Sequence, residues 1–183
     1  NTDYDSYAVK IDLLKDKLRS IKGEGSIIGA NKDPNIDIDL IFENFDISFI
    51  EKIGSNTITS LSSIVSGEVN LWGKSNNIQH NGKLYLDESK FKIPYLNIEY
   101  SLSEKSEIDL YNQNFEFNNV NINSDSNSSS TSLVGKITHQ DFKNWNLDLD
   151  FKSDRLYILN KEYTENENFY GKAYLGGDIK ISG

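Results

Sequence analysis

Residues 64–102 read IVSGEVNLWGKSNNIQHNGKLYLDESKFKIPYLNIEYSL, and this stretch decides the fold. Apolar residues alternate with polar ones through Val69 and Leu71, and again through Leu84 and Leu86. Alternation at a period of two is typical of a β-strand with one apolar and one polar face. The stretch therefore predicts successive strands joined by short turns.

Two polar segments inside this stretch, 74–77 and 87–90, are predicted to be turns. Asn81-Gly82 is a common hairpin dipeptide, but the apolar residues keep the same parity on both sides of it, so we expect it inside a strand. The parity changes across Pro94-Tyr95, where we predict a β-bulge. Without a bulge, the second half of that strand would turn its apolar side chains to the wrong face.

The same alternation predicts further strands along the chain, at 17–29, 36–42, 108–122, 133–139, 145–151 and 169–181. Residues 8–18 fit either a strand or a short helix. A second bulge is predicted near Asn118-Asn119, where the parity changes again. The Ser- and Asn-rich segment 124–132 is predicted to be a flexible loop.

Segment 46–66 is the one region with helical spacing. Ile58, Leu61 and Val65 recur every three to four residues, as do Ile47 and Ile50 before them. We expect one or two short helices here, covering an edge or one end of the apolar face.

The composition excludes several classes of function. The chain has 183 residues, enough for one domain, and a net charge of −9, which makes nucleic-acid binding improbable. It has no cysteine, which excludes disulfides and thiolate chemistry. No apolar run approaches the roughly 18 residues of a membrane span. Because the chain has no methionine, we expect it to be a piece of a longer protein.

Few residues suggest chemistry. His80 and His139 are predicted to be strand-end histidines with no second metal ligand nearby, although a metal site or a catalytic base is a possible alternative. Asp37/Asp39 and Asp148/Asp150 are spaced like calcium ligands or glycosidase carboxylates. Each pair alternates with apolar residues, which favours the polar face of a strand. We find no catalytic constellation, and expect neither enzymatic activity nor a metal or cofactor.

The apolar face leaves three architectures open. Two sheets can pack as a β-sandwich, one sheet can close into a barrel, or one sheet can curl into an open trough. Composition alone favours the sandwich, because large exposed apolar patches are rare on soluble proteins.

Several segments together resemble one known family. They are GEVNLWGKSNNIQHNGKLYLDESKFKIPYLNIEYSL at 67–102, DISFIEKIGSNTITSLSSIVSG at 46–67, GKITHQDFKNWNLDLDF at 135–151 and FYGKAYLGGDIKISG at 169–183. They resemble the C-terminal repeat region of the TamB family, in the AsmA-like superfamily of envelope proteins, in its Bacteroidota form. The resemblance covers about residues 36–183.

The resemblance implies an all-β fold, a long twisted and mostly antiparallel sheet curled into a U with an apolar concave groove. The implied function is non-enzymatic: phospholipid acyl chains would travel in the groove between inner and outer membranes. The implied location is the periplasm, with the parent protein anchored in the inner membrane by an N-terminal helix absent here. An outer-membrane barrel protein of the BamA/TamA type is the implied partner of the parent's C-terminal region.

The expected groove residues are the alternating apolar ones: Ile36, Ile38, Leu40, Phe42, Leu84, Leu86, Ile93, Leu96, Ile98, Ile108, Leu110, Phe117, Leu147 and Leu149. Ordinary core packing is the alternative for each of them. Two rival functions remain open: assembly of outer-membrane β-barrels by β-strand augmentation, and a closed β-sandwich adhesin or glycan-binding module. Self-association of the chain through its sheet edges is a further expectation.

Overall fold

The computed structural model describes residues 5–16, 19–29, 33–48, 59–124, 130–164 and 170–183, and nearly all of them lie in β-strands. The strands are β1 Ser6–Asp16, β2 Arg19–Ile28, β3 Asn35–Asp46, β4 Thr59–Lys74, β5 Asn77–Ile93, β6 Ile98–Leu102, β7 Ser106–Asn112, β8 Asn114–Asn123, β9 Thr131–Gln140, β10 Lys143–Lys161 and β11 Gly171–Ser182. The predicted all-β class is confirmed, and residues 8–16 are strand rather than helix.

All eleven strands belong to one antiparallel sheet in the order β1-β2-β3-β4-β5-β6-β8-β9-β10-β11. β7 also pairs with β5 and β8, so β6 and β7 lie end to end between those two strands. The sheet is therefore a meander in which nearly every strand pairs with its neighbours in sequence. It is neither two packed sheets nor, within the described residues, a barrel closed by pairing of β1 with β11.

Aligned residues from successive strands form apolar rows across one face, which we call the apolar face. One row runs through Ile11, Gly23, Leu40, Val69, Gly82, Leu110, Phe115, Ile137 and Leu147. The next runs through Leu13, Ile21, Phe42, Gly67, Leu84, Ile108, Phe117, Gly135, Leu149 and Ile181. The row between them points to the opposite face and carries Glu68, Lys83, Asp109, Glu116, Lys136 and Asp148.

The sheet is rolled with the apolar face inside. β5 and β9 are three positions apart, which in a flat sheet means a separation of about 14 Å. Yet the Nε2 atoms of His80 and His139, one on each strand, are 2.8 Å apart. β6 and β10 are also three positions apart, and the Tyr100 hydroxyl on β6 donates a hydrogen bond to the Tyr157 carbonyl on β10 at 3.0 Å.

Glycines on the apolar face let the strands approach closely where the sheet rolls. Gly67, Gly82 and Gly135 have φ values of 136°, 150° and 137°, a region that side-chain-bearing residues rarely adopt. A Cβ on Gly82 would lie 2.1 Å from the backbone oxygen of Glu68 on the neighbouring strand, and the other two are equally crowded. Glycine inside a strand is typical of such tight bends.

The apolar face is filled most completely at β6–β11. There the distal half of β10 bends over the face, and eight buried residues form one cluster, the closed core: Ile98, Tyr100, Val120, Ile122, Leu133, Leu149, Leu156 and Tyr157. A second cluster centres on Val69, Ile108 and Leu110, with half-buried side chains of β3, β4, β5 and β8 around it.

Several predicted connections are confirmed. The turn at 74–77 joins β4 to β5, and Gly82 lies inside β5. The register shifts between Phe117 and Val120, and Asn119 has a φ of 62°, so the predicted bulge at Asn118-Asn119 is present. Most of the predicted loop at 124–132 lies outside the described residues, and Thr131 already begins β9.

Three predictions are wrong. Residues 87–90 are not a turn but part of β5, where Glu88 has a φ of 50° and the register shifts. Pro94-Tyr95 belongs to a reversing turn rather than a bulge, with the Asn97 amide donating to the Pro94 carbonyl at 3.0 Å. Residues 59–66 of the predicted helical segment belong to β4, and Asp46 ends β3. Residues 49–58 of that segment lie outside the described residues.

Candidate functional site

The structure places the expected groove residues in two environments. All but Ile36 and Ile38 belong to the two apolar clusters. Four are buried, namely Ile98, Ile108, Leu110 and Leu149. The other ten are half-buried.

The half-buried residues of β3, β4 and β5 form a strip on the apolar face that we call the open lining: Ile36, Ile38, Leu40, Phe42, Leu71, Leu84 and Leu86. None of these seven residues belongs to the closed core, which the distal half of β10 covers; of these three strands, only the end of β5, at Phe91 and Ile93, packs against that core. Val9 and Ile11 on β1 are half-buried as well, so apolar surface continues towards that edge of the sheet.

A set of hydrogen bonds, the tyrosine clasp, holds the distal end of β10 against the β5–β6 turn. The Asn160 amide donates to the Leu96 carbonyl at 3.0 Å, and the Asn97 side-chain amide donates to the Asn160 carbonyl at 2.7 Å. The Tyr100 hydroxyl completes the clasp through Tyr157. Burial raises the pKa of Tyr100 to about 12, so its hydroxyl stays protonated and continues to donate.

The tyrosine clasp lies at one end of the rolled sheet, and His80 and His139 meet at the other end. Their exposed fractions are 1% and 6%. The Phe115 ring lies 4.8 Å from the His80 ring, Phe142 stacks 4.5 Å from the His139 ring, and Trp145 lies 5.0 Å from it. The prediction of isolated histidines is therefore wrong, because the roll brings two strand-end histidines, 59 residues apart, into contact.

The neighbouring bonds fix the protons on this pair. The Phe142 amide donates to Nδ1 of His139 at 3.1 Å, so in the neutral ring the proton of His139 resides on Nε2. That Nε2–H donates to Nε2 of His80, which leaves the His80 proton on Nδ1. The Nδ1 atom of His80 is buried and has no hydrogen-bond partner among the described residues.

Both histidines favour the neutral form. Burial, followed by the proximity of His139, lowers the pKa of His80 from 6.5 to about 4. Burial also lowers the pKa of His139, against a smaller opposing effect of the Asp141 carboxylate. At neutral pH the pair therefore carries no charge.

Polar bonds surround the histidines and join three turns at this end of the roll. An oxygen of the Asp141 carboxylate accepts the Ile78 amide at 3.1 Å, and the Asp141 amide donates to the Gln113 side-chain oxygen at 3.1 Å. The His139 amide donates to the Gln113 carbonyl at 3.0 Å. The start of β5, the β7–β8 turn and the β9–β10 turn are thereby held together.

Buried hydroxyls elsewhere in the sheet satisfy one another. The Oγ atoms of Ser63 and Ser89 are 2.6 Å apart, and Thr131 donates to Oγ of Ser153 at 2.8 Å. All four residues are buried. Pairing across strands removes the cost of burying single hydroxyls, and no sequence pattern had indicated these pairs.

The acidic pairs lie on the face opposite the apolar face, as predicted. Asp37 and Asp39 are exposed, and each accepts a hydrogen bond from the Asn70 amide at 2.9 Å. Lys180 lies 2.9 Å from Asp148, and this hydrogen bond lowers the pKa of that carboxyl group. Across the described residues, no three histidine or acidic side chains converge in a way that could hold a metal ion.

In the part of the chain that the structure describes, no helix has the length and apolarity needed to cross a membrane. Comparisons with protein-family models, curated proteins and solved structures found no match to this chain.

Proposed function

We propose that this chain is a non-enzymatic lipid-binding segment that shields phospholipid acyl chains on the apolar face of its sheet. The observation that carries the proposal is the pair of apolar rows that cross the rolled sheet, one from β1 to β11 and the other from β1 to β10. We further propose that the parent protein acts in the periplasm, between inner and outer membranes, and engages an outer-membrane barrel protein there.

The open lining suits an acyl chain better than the closed core does. Side chains of the closed core are already buried against one another, whereas Leu40, Phe42 and Leu84 keep part of their surface free. Burying a methylene group contributes about 0.8 kcal/mol, so a tail of about 16 carbons gains at most ~13 kcal/mol. That is sufficient to hold a tail out of water.

The chemistry of the open lining also favours movement along it. Its members are aliphatic or aromatic, so successive positions of a tail are nearly equal in energy. Buried hydroxyls that could bind a headgroup already have partners, as Ser63 has in Ser89 and Ser20 has in Glu43. The opposite face carries ion pairs such as Lys83 with Glu107, which suits contact with water.

Two substitutions at adjacent positions of β3 test the proposal. Leu40→Glu places a carboxylate in the open lining, whereas Ile41→Glu places the same group on the opposite face, where Ile41 is 43% exposed. Binding of a fluorescent fatty acid, and phospholipid recovered with the purified protein, are measured for both. We expect Leu40→Glu to lose at least tenfold in affinity and Ile41→Glu to retain the wild-type value.

Circular dichroism and thermal unfolding of both variants control for folding. If the wild-type protein binds no lipid, or if both variants bind equally well, the lipid-binding proposal fails. If Leu40→Glu unfolds, Leu40→Ser replaces it as a milder polar change at the same site.

The sheet edges favour a second candidate, β-strand augmentation of client proteins. Within the described residues neither β1 nor β11 pairs with a strand on its outer side. Unpaired edges are templates for a further strand. Gly183 and Leu147 exchange both backbone hydrogen bonds, so the amides of Asp178 and Lys180, at the intervening positions of the strand, face the free edge of β11. Here we expect Asp178→Pro and Lys180→Pro to abolish client binding while fatty-acid binding persists. If client binding persists in these variants, the lipid-binding function is favoured.

A further inference from the structure

The two histidines have only two basic atoms between them, and both are engaged. The lone pair on Nε2 of His80 accepts the proton of His139, and the lone pair on Nδ1 of His139 accepts the Phe142 amide. An added proton must take one of these lone pairs. It therefore breaks either the bond between the rings or the bond to Phe142.

The surroundings offer little compensation for a positive charge on the pair, since the effect of the Asp141 carboxylate on His139 is smaller than that of burial. His80 packs on Phe115 and Phe142, and His139 on Phe142 and Trp145, all of them uncharged. The charged residues nearest the pair in sequence are Asp141, whose carboxylate accepts the Ile78 amide, and Lys143, which is exposed. Charged residues of the adjoining strands lie in the row that points to the opposite face: Lys83, Asp109, Glu116, Lys136 and Asp148. Lys74 at the end of β4 pairs with Asp33.

We propose that the His80–His139 pair is an acid-sensitive tie, which holds β5 to β9 while Nε2 of His80 accepts the His139 proton and releases this end of the roll when that nitrogen of His80 is itself protonated. The lowered pKa values of both rings agree with this, since the folded form resists protonation. The proposal goes beyond lipid binding and does not depend on it.

The tie predicts opening at one end of the molecule only. The tyrosine clasp at the other end is built from a hydroxyl, amides and carbonyls, none of which changes protonation between pH 7 and pH 5. Acid should therefore loosen the contacts of Ile78 and His139 and leave those of Asn160 intact.

Nuclear magnetic resonance tests the tie in two steps. Long-range proton–nitrogen spectra at pH 7 should show His139 protonated on Nε2 and His80 on Nδ1. Amide hydrogen exchange, corrected for the intrinsic effect of pH, should then show protection of the Ile78 and His139 amides falling roughly twentyfold between pH 7 and pH 5, for a shift from 6.5 to about 4. Protection of the Asn160 amide should stay constant.

Variants separate the tie from general acid sensitivity. His80→Phe keeps an aromatic ring but cannot be protonated. In this variant the protection of the His139 amide should fall less than fivefold between pH 7 and pH 5. Tyr100→Phe, at the other end of the roll, should leave the pH-dependent fall in protection of the His139 amide unchanged. If His80→Phe does not fold, His139→Phe is measured through the Ile78 amide. The inference is overturned if His80 is protonated on Nε2 at pH 7, if protection is independent of pH, or if it falls equally at both ends.

Discussion

Replacement of Gly82 by alanine is expected to destabilise the protein strongly, because two separate costs coincide at this position. The backbone of Gly82 has a φ of 150°, in a region that is essentially restricted to glycine. Holding another residue there costs about 1–3 kcal/mol. The new Cβ would also lie 2.1 Å from the Glu68 oxygen and 2.8 Å from Cα of Val69, both backbone atoms of β4.

The second cost is the movement of backbone needed to relieve this overlap. Over-packing of this kind costs about 1–3 kcal/mol, so the total for Gly82→Ala is about 2–6 kcal/mol. Gly171 provides a matched control, because its φ is 121° but a Cβ there would meet nothing within 4 Å. Gly171→Ala should carry the conformational cost alone, eased further by its position at the start of the edge strand β11.

Urea unfolding followed by circular dichroism measures both variants against the wild-type protein. Gly82→Ala should lower the free energy of unfolding by at least about 1 kcal/mol more than Gly171→Ala does, with a similar dependence on urea concentration if the folded state remains rolled. If the two variants agree within about 0.5 kcal/mol, β4 and β5 do not approach as closely as described, and the account of the roll is refuted.

Three further outcomes are expected. The free energy of unfolding should fall by about 2 kcal/mol between pH 7 and pH 5 on account of His80. The pKa of His80 is about 4 in the folded protein and about 6.5 in the unfolded chain, so the unfolded chain takes up the proton first as the pH falls. Urea unfolding that gives the same free energy at pH 7 and pH 5 would contradict this. Tyr100→Phe should cost about 1–2 kcal/mol, because the Tyr157 carbonyl loses its donor, and alkaline difference spectra should lose the tyrosine that ionises near pH 12. Ser63→Ala should cost about 1–3 kcal/mol, because it leaves the Ser89 hydroxyl without its side-chain partner. Replacing both Ser63 and Ser89 by alanine should cost less than the two single changes added together, and strict additivity in this double-mutant cycle would contradict the pairing.

Period-two alternation was sufficient to predict most of the strands, because a strand with one wet face imposes it directly on the sequence, but it left residues 8–16 open between strand and helix and placed the break near residue 90 wrongly. The rejection of Asn81-Gly82 as a turn held for the same reason: Gly82 keeps the parity of its neighbours and lies inside β5. The sheet order was also accessible in outline, since short turns join sequential strands.

For residues 59–66 the helical prediction failed because a bulge imitates helical spacing. The register shifts twice between Thr59 and Ile64, and Ser60 has a φ of 54°. The first shift adds a residue to β4, which lengthens the apolar spacing there from two to three and imitates a helical pattern, whereas the second adds a residue to β5 near Glu88. The same ambiguity affected Pro94-Tyr95, where a change of parity fits a bulge and a reversing turn equally well.

The histidine pair could not be predicted from the sequence. His80 and His139 meet only because the sheet rolls through three strand positions. The roll depends on Gly67, Gly82 and Gly135, and glycine in a strand is compatible with a flat sheet, a bulge or a tight bend. The curvature that creates the site is a property of the assembled sheet rather than of any single segment.

The meander has a mechanical consequence. β1 and β11 lie at opposite edges, and in the described part of the chain each is bonded along one side only. A pulling force applied to the two ends of the described chain would load one hydrogen-bonded pair at a time, beginning at Ser6 with Ile28 and at Ser182 with Asp148. The outer hairpins should peel away at low force, and the main resistance should arise when the pulling reaches the rolled centre, where the tyrosine clasp and the histidine pair bond strands that are not neighbours in the sheet.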